Sequence, residues 1–196
     1  MIASVINMVK NNIRKSLLEQ GLALSSSFIS SSNEIIQKRF INYLNTKKIA
    51  NILLYSPFKQ EVALDLIQET LKDKSINIFL PKVFPNKELK FNSFTNDSKL
   101  SRNKYNIFES DSENFIRAEK LNLLVIPFVG VDVNGCRLGY GGGYYDRALE
   151  SIMHTKTEQP VIGLGYQYQI LKDYFGELHD IKYDMVFSEK DIHRFG

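Results

Sequence analysis

The sequence predicts a single α/β domain: a mostly parallel, mixed sheet with helices on both faces, a Rossmann-like three-layer arrangement. Three observations carry that prediction. Short, continuous apolar runs such as Ile52-Leu53-Leu54 and Leu123-Leu124-Val125-Ile126 read as strands buried on both faces. Amphipathic stretches alternate with them, as a parallel sheet requires. The length, 196 residues, suits one hydrophobic core, and neither an internal repeat nor a second domain is evident.

The elements follow in order. Ile2 to Val9 is apolar, with no positive residue ahead of it and no small-residue cleavage site behind, so it reads as the start of a helix rather than a signal peptide. Lys10 to Leu24 continues that helix, with Ile13, Leu17 and Leu18 at helical spacing. The serine run 25–32 reads as a loop, and Ser31 with Glu34 as a capping box opening a second helix through Ile35, Ile36, Phe40, Tyr43 and Leu44. Ile49 to Tyr55 is a buried strand, and Glu61 to Lys72 an amphipathic helix. Ile76 to Leu80 is a strand closed by Pro81, and Leu89 to Phe94 alternates like an edge strand. Leu121 to Pro127 is a further buried strand, 143–153 a helix, Val161 to Tyr166 a strand, and Met185 to Phe187 the last one. Ligands of such sheets gather at the carboxyl ends of the strands, here Tyr55 to Glu61, Pro127 to Asp146 and Tyr166 to Gln169.

Composition narrows the function. The chain is 43% hydrophobic and 24% charged, an ordinary globular balance, and no apolar run approaches the roughly 20 residues that span a bilayer. The net charge of +3 comes from scattered lysines and arginines rather than a basic stripe, which disfavours nucleic acid and leaves room for an anionic small molecule. The single cysteine, Cys136, excludes an internal disulfide and fits a reducing cytoplasm.

The densest signal is Arg137-Leu138-Gly139-Tyr140-Gly141-Gly142-Gly143-Tyr144-Tyr145-Asp146-Arg147, where four of the eleven glycines fall within five positions. Glycines admit left-handed backbone and let a ligand approach the N–H groups, which at a helix start form an anion cradle. Flanking arginines add positive charge, and Asp146 offers a hard oxygen ligand. A glycine-rich surface turn is the competing reading, but a plain turn has no need of three tyrosines and two arginines.

With Ile126-Pro127 and Asp132-Val133-Asn134-Gly135-Cys136 ahead of it, this segment resembles the signature of the 5-formyltetrahydrofolate cyclo-ligase family, also called 5,10-methenyltetrahydrofolate synthetases. Further pieces agree in order: Lys10 with Arg14, Glu61-Val62, Leu80-Pro81-Lys82-Val83, Ile107-Phe108-Glu109, Tyr166 with Gln169, and His179-Asp180 with Asp184. The resemblance implies a monomeric cytoplasmic enzyme that uses ATP and Mg²⁺ to cyclise 5-formyltetrahydrofolate. It implies that Lys10 and Arg14 contact ATP phosphates together with the loop Arg137, Leu138, Gly139, Tyr140, Gly141, Gly142, Gly143, Tyr144 and Tyr145. It places Ser56 and Glu61 on the folate, alongside Tyr140 to Tyr144, and Asp146 and Asp184 on magnesium. Arg137, Tyr144 and Glu61 become the catalytic candidates. On the residues alone, Lys10 and Arg14 also fit a solvated helix face, Glu61 a helix start favoured by the macrodipole, and Asp184 a surface acid. A noncatalytic folate- or nucleotide-binding relative is the alternative function. Four departures from the family pattern, Phe128, Val131, Lys82 and Phe94, are expected to alter the substrate-side wall rather than the phosphate cradle.

Overall fold

The computed structural model describes residues 2–153, 159–177 and 180–195. Two helices open the chain, α1 (Ile2–Leu22) and α2 (Ser26–Leu44). Then come β1 (Asn51–Leu53), α3 (Asp65–Lys72), β2 (Asn77–Val83) and β3 (Leu89–Phe94). A small hairpin, β4 (Leu100–Arg102) with β5 (Phe108–Ser110), precedes β6 (Phe115–Ile116) and β7 (Leu123–Val125). A second hairpin, β8 (Gly130–Val131) with β9 (Arg137–Leu138), leads to α4 (Tyr144–Ala148) and α5 (Glu150–Met153). The chain closes with β10 (Val161–Leu164), β11 (Met185–Phe187) and β12 (Ile192–Arg194).

Eight strands form one sheet in the order β12-β11-β10-β7-β1-β2-β3-β6. The five central strands are parallel, and β12, β3 and β6 run antiparallel to their neighbours. Numbered among themselves, the parallel strands stand 2-1-3-4-5, so the winding reverses between β1 and β7. That reversal opens a crevice beyond the carboxyl ends of those two strands.

Alternation along the strands divides the core. Ile52, Leu54, Leu123, Val125, Ile162 and Leu164 meet Ile36, Phe40 and Leu44 of α2 and Ile67 and Leu71 of α3. Leu53, Leu124, Ile126, Val161 and Val186 face the other way, against Leu149 and Ile152. Each large side chain so buried contributes about 1.5–3 kcal/mol. Helices therefore cover both faces, as expected, and among the described residues no helix is long and apolar enough to cross a membrane.

Several boundaries differ from the sequence reading. The serine run is not a loop: Ser25 caps α2, its Oγ accepting the Phe28 N–H at 3.2 Å, and Ser31 lies inside the helix, donating to Ser27 O at 3.0 Å. The earlier serine wins because a helix starting there turns Phe28 against Tyr166, ring centres 6.0 Å apart. Pro81 does not end β2, which runs on to Val83. Beyond Phe79 β2 has lost its parallel partner β1, so a proline there removes no bond of that ladder. Strand β3 is not an edge, because β6 pairs outside it. The stretch 143–153 breaks into two short helices, and α3 begins at Asp65 rather than Glu61.

Candidate active site

The crevice at the switch point is a cleft of about 430 Å³. Its floor is the ends of β1 and β7, Tyr55-Ser56 and Pro127. One wall is the loop after β9, from Arg137 to Asp146, with Lys10 and Arg14 of α1 beside it. The lining continues through Phe58, Glu61, Pro81, Val83 and Leu89, and the turn of the β4–β5 hairpin adds Asn103, Tyr105 and Ile107.

Arg137 is pinned under the glycine loop and is 7% exposed. Its Nε donates to Pro127 O at 2.7 Å, its Nη1 lies 3.5 Å from Asp146 Oδ1, and its guanidinium stands 5.3 Å from the Tyr145 ring centre. Gly139 allows this approach, since a Cβ there would sit 2.7 Å from Arg137 Nη2. Arg14 reaches over from α1 and donates through Nε to Gly139 O at 2.7 Å. Gly141 has φ +91° and Gly143 φ +64°, conformations that side chains resist. The helix after the loop, α4, has only five residues, so the expected helix-dipole contribution is small. The positive field comes from Arg14 and Arg137 instead, since Lys10 is held between two carboxylates.

Lys10 is almost fully buried. Its Nζ contacts Glu177 Oε2 at 2.7 Å and Asp180 Oδ2 at 2.6 Å. Burial works to lower its pKa, but bonding to Asp180 and Glu177 outweighs it, and the net shift is upward. Burial lowers Arg14, with Arg137 adding to the effect.

Glu61 does not start a helix. Its Oε2 accepts the Phe58 N–H at 2.9 Å, which turns the carboxyl into the cleft. Burial pushes its pKa up to about 8, against the Phe58 N–H bond and the Arg137 charge, which act to lower it. Tyr55 and Tyr145 lie near this carboxyl, and burial raises both. Tyr140 packs edge-on against Phe58 at 5.5 Å, with Lys59 Nζ 5.7 Å from its ring centre. Tyr144 shares a hydrogen bond with Tyr105, oxygen to oxygen 2.6 Å, across the mouth of the cleft.

The structure thus brings together Lys10, Arg14, Ser56, Glu61, the loop 137–145 and Asp146. It does not bring Asp184. That residue lies at the amino end of β11, where its Oδ2 accepts the Val161 N–H at 2.7 Å, and it does not line the cleft. His179 lies outside the described residues. Sequence reasoning passed over Glu177 and Asp180 as site residues, although Asp180 stands in the same short motif as Asp184. It also missed Tyr105 and Phe58.

The four departures from the family pattern are corrected too, since none of them lines the cleft. Phe128 packs on Tyr183 at 5.4 Å in the second core, and Val131 is fully buried there. Phe94 packs against the first core, and Lys82 pairs with Glu113 at 3.2 Å. Three of these side chains belong to the core and Lys82 to an ion pair, while the cleft is lined by other residues.

Comparison with known proteins agrees with this geometry. The 5-formyltetrahydrofolate cyclo-ligase family model matches residues 6–189. A 5-formyltetrahydrofolate cyclo-ligase of Mycoplasma pneumoniae is 31% identical over 185 residues, covering 93% of this chain and all of the relative. The mouse cyclo-ligase is 25% identical over 202 residues, covering 96% and 98%. A solved 5,10-methenyltetrahydrofolate synthetase from Mycoplasma pneumoniae superposes with a TM-score of 0.76 at 30% identity, covering 92% of this chain and 98% of that one. Another, from Aquifex aeolicus, gives 0.81 at 26% identity, covering 95% and 92%. With the match running through both walls of the cleft and nearly the whole sheet, the chain belongs to the 5-formyltetrahydrofolate cyclo-ligase family.

Proposed function

We propose that the chain closes 5-formyltetrahydrofolate into 5,10-methenyltetrahydrofolate with Mg-ATP, releasing ADP and phosphate, as a cytoplasmic monomer acting on small molecules. One observation carries the reading: a glycine loop bonded by Arg14 and packed over Arg137 lines a single cleft together with Glu61 and Ser56. Phosphate and pterin can therefore meet in one space.

An amide-like formyl oxygen is a poor leaving group, so it first takes the γ-phosphoryl group of ATP and ADP departs. N10 then attacks the activated carbon and loses its proton to solvent. The carbon–oxygen bond breaks as phosphate leaves. In-line transfer of this kind depends on positioning and charge neutralisation. The backbone of Gly139 to Gly143 approaches the phosphates, with Arg14, Lys10 and Arg137 neutralising them. Glu61 orients the pterin through its N–H groups, and Tyr140 and Tyr144 flank the ring. Leu138 and Tyr145 support the loop from below.

Among the described residues, no group of three or more His, Cys, Asp or Glu forms a cage for a metal. Asp146 is a single carboxylate lining the cleft, and Mg²⁺ commonly takes one or two carboxylates together with phosphates and water. Asp146 would hold it, and the bound ion supplies positive charge to the phosphate oxygens. Asp146→Asn is expected to lower turnover and raise the magnesium needed for half-maximal rate by about tenfold. Asp184→Asn is expected to leave that requirement unchanged, because its carboxylate caps a strand at the far end of the sheet. Magnesium titrations of the two variants check the pair.

Glu61 makes folate binding depend on pH. With its pKa raised to about 8, the carboxyl is mostly neutral in the free protein below that value. Accepting pterin N–H bonds requires the ionised form, so binding below pH 8 must release a proton. Affinity should rise with pH, by up to about tenfold per unit, and level off above about 8. Glu61→Gln should flatten the profile, matching wild type near about pH 6.5 and falling roughly ten- to a hundredfold behind at about pH 9. Calorimetric titration across that range measures both curves, and ATP affinity should follow neither.

The whole reading is tested by mixing the protein with Mg-ATP and 5-formyltetrahydrofolate and following the ultraviolet absorbance of the methenyl product. Binding of both ligands without product would instead identify a noncatalytic relative.

A further inference from the structure

We propose that Asp132 is a positioning residue for the phosphate side of the cleft, its carboxylate clamping the hairpin that launches the glycine loop to the segment that anchors Lys10. The inference rests on the reading of Lys10 and the glycine loop as phosphate contacts, and it goes beyond that reading by assigning what holds the two in register.

Asp132 is fully buried, and each of the four hydrogen bonds to its carboxylate comes from a backbone N–H. Oδ1 accepts from Asn134 at 2.9 Å and Cys136 at 2.8 Å, which folds the turn between β8 and β9. Oδ2 accepts from Phe175 at 3.3 Å and Gly176 at 3.0 Å. One oxygen thus serves the hairpin and the other serves a segment more than forty residues away. Glu177, directly after Gly176, and Asp180 are the two carboxylates that hold Lys10. Their turn is closed by the Glu177 N–H, which donates to Asp180 Oδ2 at 2.7 Å.

The far end of the segment is fixed to the same hairpin. Arg137 N–H donates to Ile181 O at 2.8 Å, and Tyr183 N–H to Gly135 O at 2.9 Å. Gly176 is needed for the fit, since a Cβ there would overlap Cys136 Sγ and Cβ and lie 3.0 Å from Asp132 Oδ2. A displacement of a few tenths of an ångström at Gly176 would pass straight to Glu177 and Asp180, and through them to Lys10. None of the groups Asp132 binds is a cleft side chain, so its influence on the site runs through the backbone.

A carboxylate is the required group. Asn at this position keeps one acceptor and turns an NH₂ toward two N–H donors, and buried donors left without acceptors are costly. Asp132→Asn should therefore loosen 175–177 and lower Mg-ATP affinity by roughly tenfold, with 5-formyltetrahydrofolate affinity kept within about threefold. Gly176→Ala, which alters no charge, should reproduce the effect if Asp132→Asn fails to fold. Adding Cys136→Gly to Gly176→Ala clears the overlap and should restore Mg-ATP affinity. Rescue traces the loss to this contact, and folate affinity kept within about threefold separates it from general destabilisation.

The measurements are calorimetric titration of each ligand and amide hydrogen exchange of the ligand-free protein over residues 175–177. Equal loss of both ligands, or failure of Cys136→Gly to rescue, overturns the positioning role. Exchange in 175–177 unchanged from wild type in the folded variants also overturns it, and that readout needs no ligand. A wild-type protein that binds no Mg-ATP overturns the proposed function instead, and leaves the clamp to be judged by exchange alone.

Discussion

Gly141→Val is expected to abolish ATP-dependent cyclisation, lowering turnover by about two to three orders of magnitude, the range seen when preorganised donors to a developing anion are lost. Two effects act together. At φ +91° a β-branched residue is strained by about 1–3 kcal/mol, so the loop will leave this conformation to relieve it. If the loop held its shape, the new side chain would project toward Arg14, whose guanidinium carbon would lie 3.7 Å from its Cβ. Either way the N–H groups and the arginine lose their common focus. Calorimetry should show Mg-ATP affinity lost and folate affinity nearly kept, because Glu61 takes its position from the Phe58 N–H rather than from the loop. Wild-type turnover in this variant would remove the phosphate cradle from the mechanism.

Arg137→Met should be comparably damaging, with turnover down by about a thousandfold, the lower end of what a transition-state arginine contributes in phosphoryl transfer. The substitution keeps much of the apolar stem and deletes the charge. Pro127 O would retain only the long 3.3 Å bond from Tyr183, and Asp146 would lose its cationic neighbour. A second signature separates this from simple destabilisation. Arg137 is one of the influences that lower Glu61. Without it the Glu61 pKa should climb further, moving the rise of folate affinity with pH to more alkaline values. A midpoint that stays put would mean that the two groups do not share a cleft in solution.

The parts of this architecture that can be read from sequence are those whose chemistry is local. Ile52 to Leu54 and Leu123 to Val125 announce themselves because a strand buried on both faces must be apolar throughout. The glycine loop is legible because positive φ selects glycine within a few positions. By contrast, β4, β6 and β12 are two or three residues long and largely polar or half-exposed, too brief for a period to register. Ser25 and Ser31 offer the same capping chemistry, and only the packing of Phe28 on Tyr166 decides between them. Lys10 looks like a solvated helix residue until Glu177 and Asp180 arrive from 167 and 170 residues away. Asp184 failed for a related reason. A motif fixes its spacing from Asp180, but the course of the chain carries it to the opposite end of the sheet.

That long reach between Lys10 and its two carboxylates has a consequence for how the protein is made. Glu177 and Asp180 are made 167 and 170 residues after Lys10. At synthesis rates of about 5–20 residues per second, α1 waits roughly 8–30 s for its partners. The apolar side of α1 meets β8 before then, so what Lys10 lacks longest is the pair of carboxylates that will hold its charge. The wall that the proposed function gives to folate, Tyr55 to Leu89, can form well before then, since β1, α3, β2 and β3 are contiguous in the chain. A nascent chain stalled near residue 130 would carry that wall and lack the glycine loop altogether. Under the proposed function, the nucleotide side is therefore completed after the folate side, once Asp180 has been made.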